Sequence, residues 1–136
     1  MMQCTLSNEE ILRRKVLSGR IRKMVSESVE IIEQEENWIK SKYKGFALRV
    51  IFSDLHPLMV FCLEKPIAEI DRRTSKRTNF VNLISVLGSH CINEYDGLYQ
   101  YRATHWIDTE MTKARFLEIL DRCVIEASRG YRKIAS

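Results

Sequence analysis

The sequence predicts an α+β fold: an antiparallel sheet with helices packed mainly on one face, in the order α-β-β-(β)-α-β-β-α. Three observations carry this. Phe116, Ile119, Leu120, Cys123, Val124 and Ala127 recur at the spacing of a helix with one apolar face. Two alternating stretches flank Asp96-Gly97, a dipeptide suited to the positive φ values of a tight hairpin turn. Leu58 to Leu63 is apolar throughout, so a strand there needs cover on both faces.

In chain order, Met1 to Leu6 is expected to fray. Ser7 is placed to cap a helix, with Glu10 as capping-box partner. Ser18-Gly19 is the expected break, giving a basic, partly helical segment 1–19 ahead of a single domain 20–136. Ile21, Met24, Val25, Ser28, Ile32, Trp38 and Ile39 predict one long helix from about Arg20 to Tyr43. Gly45 then separates helix from strand. Phe46, Leu48, Val50 and Phe52 alternate with Ala47, Arg49 and Ile51, which predicts a strand. Leu58 to Leu63 predicts the next strand; Pro66 ends it or opens a short edge strand at Ile67 to Ile70.

Thr74 or Ser75 is the expected cap of a helix holding Phe80, Val81, Leu83, Ile84 and Leu87, which Gly88 stops. A two-residue turn at Asp96-Gly97 sets Tyr95 opposite Leu98, Ile92 opposite Tyr101 and His90 opposite Ala103. His90, Ile92, Tyr99, Tyr101, Ala103, His105 and Ile107 then share the core face, with Cys91, Tyr95, Leu98, Arg102 and Trp106 on the other. Thr112, or alternatively Thr109, caps the last helix, and Gly130 is read as its C′ residue.

A chain of 136 residues fits one domain with a core that needs no staples. Nothing in it approaches the apolar run of about 20 residues that spans a bilayer. Met1 to Leu6 is too short for the apolar part of a signal peptide. Cys4, Cys62, Cys91 and Cys123 are scattered, with no C-x-x-C, which predicts free thiols and a reducing cytoplasm. Net charge is only +4, but it is unevenly spread. Arg13 to Lys23 is basic, Glu27 to Glu36 acidic, and Arg72, Arg73, Lys76 and Arg77 form a second basic cluster at a helix start. Cations are disfavoured there by the helix dipole, so these four are candidate partner-binding residues.

The chain carries no Gly-rich phosphate loop, G-x-S-x-G or H-E-x-x-H. Cys91 next to His90 resembles a nucleophile pair only in sequence, because strand neighbours point to opposite faces. His90 and His105 become diagonal neighbours in the predicted register, with Glu94 as a third ligand in a metal-site reading. Asp54 and His56 read as turn chemistry before Pro57. No catalytic residue, metal ligand or cofactor is assigned. Leu58, Val60, Cys62 and Trp106 are the candidate dimer or partner surface, since the monomer is short of residues to cover both sides of Leu58 to Leu63.

Several features carry a family likeness: the apolar helix with Phe80-Val81-Asn82-Leu83, the hairpin around Asp96-Gly97, Tyr101-Arg102-Ala103-Thr104, and the helix opening at Thr112 with Phe116 and Leu120. From about Arg20 to Ile134 this order resembles the type III secretion chaperones. It also resembles the related YbjN-like bacterial proteins, classed provisionally as sensory transduction regulators. The resemblance implies a helix-sheet-helix protein that dimerises and binds other proteins, without catalytic residues. The expected function is a non-catalytic, cytoplasmic protein-interaction or regulatory module, a homodimer with a protein partner and no membrane. Two alternatives stay open: a nucleic-acid-associated protein using the basic clusters, and an enzyme with a site near His90 and His105.

Overall fold

Alternation of apolar and polar residues builds most of this molecule, and it begins earlier in the chain than the sequence suggests. The computed structural model describes residues 6–53 and 56–136. Helix α1 (Asn8–Ser28) leads into strands β1 (Glu33–Glu35), β2 (Trp38–Tyr43), β3 (Phe46–Phe52) and β4 (Leu58–Pro66). Helix α2 (Arg72–Ile84), strands β5 (Ser89–Asn93) and β6 (Leu98–Trp106), and helix α3 (Lys113–Ala135) follow. The strands form one antiparallel sheet in the order β1-β2-β3-β4-β6-β5.

Every second residue of the central strands is buried on the helix side. Phe46, Leu48, Val50 and Phe52 of β3, Met59, Phe61 and Leu63 of β4, and Tyr99, Tyr101 and Ala103 of β6 form one core with Ile21 and Val25 of α1. Helix α3 completes it with Phe116, Leu120, Cys123, Val124 and Ala127, the face its periodicity predicts. Ser7 and Thr112 cap α1 and α3 by accepting hydrogen bonds from the Glu10 and Arg115 amides, at 3.1 Å each.

The predicted helix from Arg20 to Tyr43 is replaced by helix, strand and strand. Helix α1 runs through Gly19 without a break and ends at Ser28. Ile39 and Ser41 are then buried while Lys42 is exposed, a period of two. Lys44 and Gly45 form the two-residue β2–β3 turn with φ values of 47° and 87°, the positive pair expected at Asp96-Gly97. Tyr43 and Lys44 tie this turn to α3, donating to Asp121 Oδ1 at 2.5 and 2.8 Å. Pro66 ends β4, and Ile67 to Ile70 forms no strand.

The β5–β6 turn spans four residues, Glu94 to Gly97, and only Gly97 has positive φ. Asn93 takes the tightening role, accepting from the Asp96 amide at 3.2 Å. The register therefore shifts by two: His90 faces Tyr101 and Ile92 faces Tyr99. An even shift keeps every side chain on its own face, so the predicted core face is correct although the predicted pairs are not. Gly130 is not a C′ residue; it lies buried inside α3, which continues to Ala135. The readings placed on Cys4, on Asp54 and on the first five residues fall outside the described residues.

Candidate protein-interaction surfaces

Two surfaces lie open, and the first is built by α2. Its N-cap is Asp71 rather than Thr74 or Ser75. The Asp71 carboxylate accepts from the Arg73 and Thr74 amides at 2.8 and 3.1 Å, and Thr74 Oγ1 accepts from the Asp71 amide at 3.0 Å. The helix thus brings its own anion to its positive end, beside Arg72 and Arg73. Hydrogen bonds from the Thr74 and Arg73 amides keep the Asp71 pKa below the usual carboxylate value.

The inward face of α2 is small and polar: Thr74, Thr78 and Val81 are its buried residues. The helix ends at Ile84, short of the Leu87 expected in it, and most of its apolar residues face out. Phe80 is 49% exposed, Leu83 84% and Ile84 64%, and the following Val86 is 87% exposed. Phe80, Ile84 and Val86 line a groove of about 590 Å³ with Ile125, Arg129 and Lys133 of α3, and Leu83 stands outside it. Lys133 Nζ lies 5.5 Å from the Phe80 ring centre.

The far end of the groove is fixed by Glu126. Its carboxylate accepts from the amides of Val86, Leu87 and Gly88 at 2.9, 3.1 and 2.8 Å and from the Tyr101 hydroxyl at 2.7 Å. Burial alone would raise its pKa, but these four donors outweigh burial and lower it to about 2. Asn82 binds β5 from α2, donating to the His90 carbonyl at 2.9 Å and accepting from its amide at 2.7 Å. The loop and strand beside the exposed stripe are therefore held firmly although the stripe itself is bare.

The second surface is the sheet face turned away from α1 and α3, which holds the residues predicted as a dimer or partner surface. Leu58, Val60 and Cys62 are half-buried, and Trp106 is 69% exposed. Two residues join them: Trp38, which the long-helix expectation hid, and Ile51 directly opposite it. Arg49 lies over the Trp38 ring at 5.0 Å.

The structure separates the predicted histidine pair. His90 faces Tyr101, whereas His105 lies four residues further along β6, facing Met59 and about 14 Å away along the strand. His90 is buried, with Nδ1 2.5 Å from Tyr99 Oη and Nε2 3.2 Å from Ser85 Oγ. His105 packs edge-on against Phe61 with ring centres 5.7 Å apart. Burial lowers both histidine pKa values; Glu126 partly offsets this at His90, and Arg115 adds to it at His105. Among the described residues no three His, Cys, Asp or Glu side chains are grouped to hold a metal. Cys91 is exposed on the opposite face from His90, and burial raises the Cys123 thiol to about 11.

The first basic block is largely engaged within the chain. Arg13 and Arg14 approach Glu10 at 3.6 and 3.1 Å. Arg20 donates to the Thr109 carbonyl at 2.9 Å, and Arg22 to that of Glu35 at 2.6 Å. In the second cluster Arg72, Arg73 and Lys76 are exposed, while Arg77 is half-buried and donates to the Ser136 carbonyl.

No helix of the described residues is long and apolar enough to cross a membrane. No protein-family model matches the sequence, and no curated protein matches it. Its fold is that of solved proteins of much lower sequence similarity. YbjN from E. coli superposes with a TM-score of 0.62 at 9% identity, over 82% of this chain and 86% of that one. The HopA1–SchA chaperone–effector complex gives 0.59 at 13%, over 93% and 98%. The Yersinia pestis type III secretion chaperone SycH, in complex with a stable fragment of YscM2, gives 0.57 at 14%, over 83% and 98%. The helix-sheet-helix fold expected from the sequence is thus the fold that this chain shares with YbjN and with these chaperones.

Proposed function

We propose that the protein is a non-catalytic protein-interaction module of the bacterial cytoplasm that pairs with a second copy of itself through α2. The observation that carries this reading is the outward stripe of Phe80, Leu83 and Ile84 on α2, continued by Val86 in the loop that follows. Its i, i+3, i+4 spacing is that of a helix face packed against a neighbour, yet Leu83 and Ile84 stay 84% and 64% exposed although Ile125 of α3 borders the groove beside them. Contiguous exposed apolar area of this kind marks an interaction site. A two-fold pairing of α2 with α2 is the simplest way to bury it, since the same stripe then serves both sides.

Chaperones of this fold are seen with protein partners, which supports a protein ligand. The exposed Arg72, Arg73 and Lys76 would then steer an acidic partner toward the start of the same helix. Nucleic acid ranks second, because Arg13, Arg14, Arg20 and Arg22 are engaged inside the chain. The free thiols of Cys62, Cys91 and Cys123 support a reducing compartment. Sedimentation equilibrium over a concentration series tests the pairing. The weight-average mass should rise toward twice the 16.0 kDa of one chain; a single-chain mass at every concentration contradicts it.

A further inference from the structure

The open sheet face carries two adjoining rows of side chains. Cross-strand register aligns Trp38 of β2, Ile51 of β3 and Val60 of β4, with the pair Leu58–Trp106 one step along the strands. On the other side of this apolar stripe, Lys40, Arg49, Cys62 and Arg102 line up across β2, β3, β4 and β6. The rows are about 7 Å apart, two residues of strand, and four strands span about 14 Å. Lys40, Arg49 and Arg102 form none of the ion pairs found among the described residues. Of the acidic residues of this face, Glu33 and Glu35 lie on the edge strand β1, directly opposite Lys40 and Trp38, and Glu64, hydrogen-bonded to Gln100, lies in the row beyond the cations.

We infer that this face docks an amphipathic protein segment with apolar side chains on the Trp38–Trp106 stripe and carboxylates over Lys40, Arg49 and Arg102. Charge selects the acidic flank, because Lys40, Arg49 and Arg102 lie on one side of the stripe and Arg49 and Arg102, at its centre, have no carboxylate directly opposite them. Shape and chemistry select protein over single-stranded nucleic acid. Bases stack on aromatic faces, but the centre of this stripe is aliphatic, and Arg49 already covers Trp38. The span matches roughly ten residues of helix at 1.5 Å per residue. The inference rests on the protein-interaction reading and gives it a second surface, separate from α2, so that a paired molecule keeps this face free.

The test is NMR titration of the labelled full chain with a synthetic amphipathic peptide of Leu, Ala and Glu. Its counterpart with Lys for Glu, and oligouridylate, serve as competing probes. The acidic peptide should bind saturably and shift the signals of Trp38, Ile51, Val60 and Trp106. Arg49→Glu with Arg102→Glu should weaken it about tenfold or more, as should Trp106→Ala, which removes an exposed ring and leaves the core untouched. Equal or tighter binding of the Lys peptide or of oligouridylate overturns the inference. So do shifts confined to Phe80, Leu83 and Ile84, which would leave the interaction-module reading standing. A chain that stays monomeric and binds the acidic peptide nowhere sinks both.

Discussion

Gly130 of α3 packs directly against the His90 ring of β5, so closely that a β-carbon there would overlap Cε1 and Nδ1 and come within 3.1 Å of Tyr99 Oη. This contact fixes how near α3 sits to the edge of the sheet. Replacing an ordinary helix-interior glycine by alanine gains about 1 kcal/mol. Here Gly130→Ala should instead lose about 1–3 kcal/mol, the cost of overpacking a filled core. Urea denaturation checks the sign; a stabilised variant would mean that helix and sheet are further apart than described.

The same ring gives a prediction about protonation. Tyr99 Oη donates to the Ala127 carbonyl at 3.1 Å and Ser85 Oγ to the Gly88 carbonyl at 2.6 Å, so both oxygens beside the ring are acceptors and a neutral His90 can donate to only one of them. Burial holds the pKa below 6.5 against the pull of Glu126. Folding therefore opposes protonation, and this contribution to stability is complete above 6.5 and lost as pH falls through the lower folded value. Nitrogen-detected NMR should show a neutral His90 ring at neutral pH and a midpoint under 6.5. A midpoint above 6.5 would contradict the burial described.

Glu126 acts in a lower pH window. Its donors pull the carboxyl from 4.5 to about 2, so its stabilisation is full above 4.5 and disappears as pH falls toward 2. Glu126→Gln should cost about 1.5–3 kcal/mol at neutral pH, the range for hydrogen bonds to a charged group. Denaturation curves of variant and wild type should converge near pH 2. A gap that persists there would assign the loss to packing rather than charge.

What could be read from the sequence follows from what periodicity encodes. Helix α3 and the faces of β5 and β6 were legible because an apolar stripe and an alternation each identify a side, and the misplaced register moved by an even number of residues. Strands β1 and β2 were not, because Ile32, Trp38 and Ile39 among Glu and Lys residues imitate a helical spacing. Asn37 and Lys44-Gly45 were the turn signals that compete with it. In α2, Phe80, Leu83 and Ile84 form an apolar face, but a pattern does not say which molecule covers it, nor that the helix stops before Leu87. The inner face is made of Thr74, Thr78 and Val81, with too little hydrophobicity to be preferred. The histidine pairing failed with the register that proposed it.

The central claim is that the outward stripe of α2 joins two copies of the chain. Leu83 and Ile84 are 84% and 64% exposed, so Leu83→Asp with Ile84→Asp should leave the fold intact while placing charges in the interface. Light scattering on the eluting protein, with circular dichroism as the folding control, is the most direct measurement. Wild type should elute at twice the 16.0 kDa chain mass and the folded double variant at one chain mass. A wild-type monomer, or a folded variant that remains a dimer, would contradict the account.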